Sequence, residues 1–323
     1  MSYNKGLVAT LAELEEWYKG QNDGIGDIIE LMNQTNDILS DIPWMESNMS
    51  DGHKTRVRTG LPEVQHKRMY KGLKPSKGEW QELKEACSMY ATRCVLDLKE
   101  VELYGDRAKA FRLSEAKAHL EALRQKVAEA LFYGNRSKNA DEFVGLSYRL
   151  GSLGNPHVVN AGGTGSKLTS MYLISWGSDS VHGIYPKGSK AGVQQKDLGI
   201  FMAPDDNGDL FRAVGDDYEW DCGLALRDWR AVVRVANIDT TAADLDIQAL
   251  TIEAKNKLPE SLRQKAIWYC NQEVMTLIEK QAINKNNVHL SYGEYFGSKG
   301  VPALHGRPIR QCDAILCTET AVK

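Results

Sequence analysis

Between His53 and Trp80 the chain loses every regular pattern. Gly60, Pro62, Gly72, Pro75 and Gly78 interrupt it, and its apolar residues stand singly. With neither a 3.6-residue nor a two-residue apolar period, the stretch reads as extended chain without regular structure. A loop of this length cannot bury enough of its own surface to offset the entropy of ordering, so it is either disordered or shaped by a partner. It is also strongly basic. Residues 54–84 carry nine Lys and Arg against three Glu, whereas residues 1–50 carry nine Asp and Glu against two Lys. Such a split fits two separately solvated faces, or a segment that docks on an oppositely charged surface of a neighbouring subunit.

Around this stretch the periodicity is clearer. Leu7–Lys19 and Ile25–Leu39 read as short amphipathic helices separated by the breaker Gly20-Gln21-Asn22-Asp23-Gly24. Leu83–Val101 regains apolar content and reads as strand or short helix. The strongest element is a helix over Ser114–Tyr133, with Ser114 as N-cap and Gly134-Asn135 as its stop. Ala116, Leu120, Leu123, Val127 and Ala130 lay one apolar stripe along it. A second helix is expected over Pro259–Gln281, with Pro at the first turn. Met171–Trp176, Val181–Tyr185, Trp229–Asn237, Val288–Tyr292 and Arg307–Thr318 read as strands. Helices flanking a strand-rich middle give an α+β class rather than a βαβ series.

Composition narrows the function classes. At 323 residues, 42% hydrophobic and 26% charged, the chain is an ordinary folded protein of about two domains. A net charge of −3 argues against a surface built to grip nucleic acid. No apolar run reaches bilayer length, and the first twenty residues lack the apolar centre of a signal peptide, so no membrane anchor is expected. Six cysteines without a Cys-x-x-Cys pair read as reduced, mostly buried thiols.

Motifs for chemistry are weak. Gly162-Gly163-Thr164-Gly165-Ser166-Lys167 lacks the Gly-Lys-Ser/Thr order of a phosphate loop and reads as a connector. Asp205-Asp206-Asn207-Gly208-Asp209 departs from a calcium loop in its glycine and its closing position, and reads as a turn between strands. The seven histidines show no zinc-enzyme pairing, and neither a Gly-x-Ser-x-Gly elbow nor a dinucleotide fingerprint occurs. The expectation is therefore a protein that is not an enzyme, with no catalytic residue, cofactor or metal. The competing expectation of another class is a cytoplasmic metal-dependent enzyme using the Asp205–Asp221 cluster.

Three segments carry a resemblance. The helix end Ala130-Leu131-Phe132-Tyr133-Gly134-Asn135 is followed by Asp141-Glu142-Phe143-Val144-Gly145-Leu146; Gly223 to Asp239 includes Gly-Leu-Ala-Leu-Arg-Asp-Trp; and the chain closes with Gly306 to Thr320. In this order, and with the acidic arm and basic loop before them, they resemble the major capsid proteins of tailed bacteriophages with the Hong Kong 97-type fold. The resemblance runs from the basic loop to the C-terminus.

It implies an N-terminal arm over 1–50, an extended loop over 51–84 and a peripheral domain with a spine helix over 85–150. A mainly axial domain would follow over 151–300, and a C-terminal strand returning to the core over 301–323. The implied function is self-assembly, as pentamers and hexamers, into an icosahedral shell around a double-stranded DNA genome. Arg56, Arg58, Lys67, Arg68, Lys71, Lys74 and Trp80 would make the contact between subunits. Further implied partners are a scaffolding protein, a portal and a decoration protein, with non-specific contact to packaged DNA and none to membrane. The implied location is the virion, after synthesis and assembly in the bacterial host cytoplasm. An encapsulin-like nanocompartment shell is the alternative that shares the fold; Gly-Leu-Ala-Leu-Arg-Asp-Trp favours the virus.

Overall fold

The computed structural model describes residues 34–242, 245–283, 290–295 and 298–323. The sequence expectations over Leu7–Lys19 and most of Ile25–Leu39 lie outside these residues. In chain order the elements are α1 (Ile38–Asp41), β1 (Trp44–Glu46), β2 (Gly52–Gly60), β3 (Glu79–Asp97), α2 (Leu98–Leu103), α3 (Ala108–Tyr133), α4 (Leu146–Arg149), β4 (Val158–Asn160), β5 (Leu168–Ser175) and β6 (Val181–Tyr185). There follow β7 (Gln194–Pro204), β8 (Leu210–Leu226), β9 (Val232–Asp239), α5 (Ile247–Lys257), α6 (Glu260–Arg263), β10 (Ala266–Cys270), α7 (Gln272–Ile283), β11 (Leu290–Tyr295), β12 (Ser298–Leu304) and β13 (Arg307–Gln311). The class is α+β, as the sequence indicates.

The chain divides into two compact units. One contains residues 91–122 and 195–218 among those described; the other contains 34–90, 123–194 and 219–323. The larger unit is organised by a seven-stranded sheet in the order β11-β12-β13-β10-β5-β9-β4. Every residue of β5 is buried, and so is every residue of β10. Met171, Leu173, Val233, Val235 and Trp268 pack there with Ile247 and Ala254 of α5 and Val274 and Ile278 of α7. Strands covered on both faces show continuous apolar runs instead of alternation. That is why 266–270 differs from expectation. The Pro259–Gln281 helix is in fact the short α6, the buried strand β10 and then α7, because Ala266-Ile267-Trp268-Tyr269-Cys270 carries no period that separates a buried strand from a buried helix.

The long helix forms but starts at Ala108, six residues before Ser114. The residues ahead of Ser114 are good helix formers, and the Ser114 hydroxyl donates to the Phe111 carbonyl at 2.8 Å instead of capping a helix end. The expected stop is correct. The Gly134 amide donates to the Ala130 carbonyl, and a side chain at Gly134 would meet the Phe143 carbonyl. In the larger unit Leu123, Val127, Ala130 and Leu131 of this helix are buried, and Phe132 packs on Tyr172 with ring centres 5.1 Å apart.

One buried charge stands in the sheet. Arg234 of β9 has a side chain 3% exposed, and its Nη2 donates to Glu319 at 2.9 Å. Its remaining donors reach the Ser170 hydroxyl and the carbonyls of Ser147 and Leu150. Glu319 also accepts from the hydroxyls of Tyr133 and Ser170. A pair so fully hydrogen-bonded ties the segment after β13 to the sheet and to the end of the long helix. The strand expected over Arg307–Thr318 stops at Gln311 for this reason. Beyond it the chain is held by side chains such as Glu319 and Asn237, and not by a ladder.

Candidate assembly interface

The segment read as structureless is a long β-hairpin in the larger unit. β2 and β3 pair antiparallel from Gly52↔Ala86 to Arg58↔Trp80, and after a register shift Gly60 lies opposite Glu79. Lys54, Arg56 and Arg58 stand on one side of β2, while Thr55 and Val57 are half-buried on the other. This two-residue alternation was the signal the sequence reading passed over, because its members are basic and not apolar. Cross-strand partners hold the ladder. Glu82 accepts from Lys54 at 2.5 Å and from Arg56 at 3.0 Å, and the Arg58 guanidinium lies 4.3 Å over the Trp80 ring. The neighbouring cations hold the Glu82 carboxyl below the usual carboxylate range.

The root of the hairpin is locked. Asn48 reads the Lys54 backbone in both directions, donating to its carbonyl at 2.7 Å and accepting from its amide at 2.8 Å. Gly52 leaves no room for a side chain, since a Cβ there would lie 2.1 Å from the Glu85 carbonyl oxygen. Glu85 in turn accepts two bonds from Arg149 of α4, at 2.7 and 2.6 Å, with both side chains mostly buried. This bidentate geometry fixes orientation as well as distance. His53 meets Arg227 at 2.8 Å, and Asn48, His53, Lys54, Arg56, Glu82 and Arg227 line an open groove of about 460 Å3.

Beyond Gly60 the picture inverts. Lys67, Arg68, Lys71 and Lys74 are exposed, and no ion pair forms to them among the described residues. Leu61 is 82% exposed, Val64 94% and Met69 88%, with Leu73 and Trp80 also open to solvent. A few local bonds shape this tip, such as Ser76 Oγ to the Glu63 carbonyl and the Lys71 amide to the Arg68 carbonyl. Four of the seven residues assigned to intersubunit contact therefore gather on the tip, whereas Arg56, Arg58 and Trp80 already have partners within the hairpin. The tip thus presents apolar side chains and cations to solvent on the same segment.

Three of the acids in the stretch proposed for metal chemistry, Asp205, Asp216 and Asp217, are engaged in other bonds. In the smaller unit Asp205 accepts from the amides of Asn207 and Asp209 and so forms the turn between β7 and β8. Asp216 binds Arg112 at 2.9 Å, and Asp217 binds Arg93 through both carboxylate oxygens. Among the described residues no group of three or more His, Cys, Asp or Glu side chains is arranged to hold a metal. Gly162–Lys167 packs against the end of β9, where a side chain at Gly165 would strike the Asp239 carboxylate.

The model of the family described as major capsid protein GP7 matches residues 20–323. Among solved structures, a chain of bacteriophage epsilon15 is 30% identical, covers 99% of this chain and 99% of its own, and superposes with a TM-score of 0.72. A chain from the bacteriophage JBD30 capsid is 10% identical and covers 95% of this chain and 99% of its own, with a TM-score of 0.49. The SrpI encapsulin of Synechococcus elongatus PCC 7942 is 12% identical and covers 73% of this chain and 97% of its own, with a TM-score of 0.48. No curated protein sequence matches the chain.

Proposed function

The chain belongs to the family of major capsid protein GP7, and we propose that the β2–β3 hairpin is the arm by which one subunit of its shell holds the next. As a phage major capsid protein of Hong Kong 97-type fold, it self-assembles into an icosahedral shell and is part of the virion. Its role in that shell is structural and not catalytic. The observation that carries the docking role is the contrast along one hairpin: a root fixed by Arg149–Glu85 and a tip whose apolar side chains are largely exposed and whose Lys67, Arg68, Lys71 and Lys74 form no ion pair among the described residues. Repeated around a closed assembly, many modest contacts of this kind sum to a stable wall.

Within that reading, residues 1–50 are an arm, 51–84 the reaching segment, and 85–150 the peripheral domain around the long helix. Residues 151–300 form mainly the axial domain that meets its counterparts in pentamers and hexamers, and 301–323 return to the core. Lys67, Arg68, Lys71 and Lys74 face acidic surface on the neighbour, while Arg56, Arg58 and Trp80 stiffen the arm and add contact area. A scaffolding protein, a portal and a decoration protein complete the particle, which is assembled in the host cytoplasm around double-stranded DNA held by non-specific contact. The near-neutral subunit suits a wall from which DNA must slide.

Changing Lys67, Arg68, Lys71 and Lys74 together to Glu tests the docking role. The expected product is a soluble subunit with an unaltered melting temperature that forms no closed shells in negative-stain electron micrographs. Shells of normal size and number from this variant would falsify the proposal.

A further inference from the structure

Arg227 is a donor only, so the 2.8 Å contact between its Nη2 and His53 Nε2 requires a bare lone pair on that ring nitrogen. His53 Nδ1 lies 3.3 Å from the Asn48 amide, which is also a donor. With Nε2 bare, the neutral ring carries its one proton on Nδ1, so the longer contact to the Asn48 amide is not a hydrogen bond; an imidazolium would add a second N–H on Nε2, aimed at the guanidinium, and would find an acceptor at neither nitrogen. Arg227 is itself held in place at two points. Its Nη1 is held by the Ser178 carbonyl at 2.9 Å, and its own amide by the Ser180 carbonyl at 2.9 Å.

We infer that His53 is an acid-operated latch at the root of the hairpin. While Nε2 accepts from Arg227 this part of the root is held; a proton taken from solvent onto Nε2 replaces that hydrogen bond with a contact between two cations and loosens the start of β2, which the remaining root contacts still join to β3.

The surroundings agree from each side. On β6, His182 is fully buried and edge-on to His53, with ring centres 5.9 Å apart. On β2, Lys54 and Arg56 line the same groove and are paired with Glu82. The nearby carboxylates are already matched: on β3, Glu82 with Lys54 and Arg56, and Glu85 with Arg149. Asp179, in the turn before β6, lies 3.9 Å from Arg227 and is exposed. Burial first, then Arg227, holds the His53 ring below the usual imidazole range; Glu85 opposes this weakly. The same two causes, with His53 as a third, push His182 down to about 4. A folded-state value below the unfolded one means that the stabilisation is complete above about pH 6.5 and is lost as pH falls through the depressed value.

Backbone amide exchange of the full-length protein at about pH 7.5 and about pH 5, corrected for the intrinsic rate, tests the latch. Residues 52–58 are expected to lose protection by about tenfold or more in acid, while residues 168–175 of β5 keep theirs. In His53→Gln the side-chain oxygen accepts from Arg227 but does not titrate, so protection of 52–58 should be the same at both pH values. An equal loss of protection in this variant, or none in the unaltered protein, overturns the inference. If His53→Gln fails to fold, exchange of the imidazole C2 proton in the unaltered protein decides: half-titration of His53 below about pH 6.5 supports the latch, and at or above it rejects it. The readout is the hairpin's own protection, so it is separable from whether the tip docks on a neighbour.

Discussion

Two parts of the larger unit are both β-structure, yet they are stable for different reasons. The sheet around β5, β9 and β10 is buried on both faces, and its buried Arg234 is matched by Glu319 inside the same chain. The β2–β3 hairpin has comparable ladder bonding but keeps its basic and apolar side chains in water. Burial removes apolar area from solvent at roughly 25 cal/mol per Å2, so the sheet stabilises itself, whereas the hairpin tip realises that gain only when a neighbour covers it. Backbone pairing gives both regions their shape, and only burial gives either its stability.

Removing the buried counter-ion should separate the two regions most sharply. Glu319→Ala leaves Arg234 charged and unpaired in the sheet, an expected loss of about 3–5 kcal/mol that a urea titration would register as a large fall in the midpoint. The hairpin ladder is not party to that network, and its local contacts should be unchanged wherever the variant remains folded.

A smaller effect is expected at the root. Gly52→Ala places a methyl against the Glu85 carbonyl, so one strand must shift, at about 1–3 kcal/mol. Amide exchange should then rise in β2 and the facing part of β3 while β5 is unaffected; uniform loss across the molecule would mean that the hairpin is part of the core. The least effect belongs to the exposed ladder. Glu82→Gln removes two ion pairs whose members are all well solvated, and the melting temperature should not change measurably.

The two regions also differ in how they could be read from sequence. The stripe from Ala116 to Ala130 gave the long helix because one face is buried and the other is not. β10 was misread because all five of its residues are buried, which erases the period. The hairpin was misread for the opposite cause: nothing in β2 is deeply buried beyond Gly52 and His53, so its alternation appears in Lys54, Arg56 and Arg58 against Thr55 and Val57. Of the residues proposed for intersubunit contact, Lys67, Arg68, Lys71 and Lys74 stand in the sequence as a charge run. The partners of Arg56 and Arg58 were not legible, since they depend on the register that brings residues 80 and 82 alongside. Arg234 within the apolar run Val232-Val233-Arg234-Val235 is a sign of a buried charge that the strand expectation left unused, and Glu319, eighty-five positions later, has no local pattern linking it to Arg234.

That long separation bears on how the subunit is made. Until residue 319 has been translated and has left the ribosome, β9 carries a guanidinium without its counter-ion, and the sheet lacks the stability that the pair contributes. A chain abandoned before that point is expected to open more readily to proteases than a finished one. The buried pair therefore couples the last stretch of synthesis to the soundness of the sheet that the subunit brings to a growing shell.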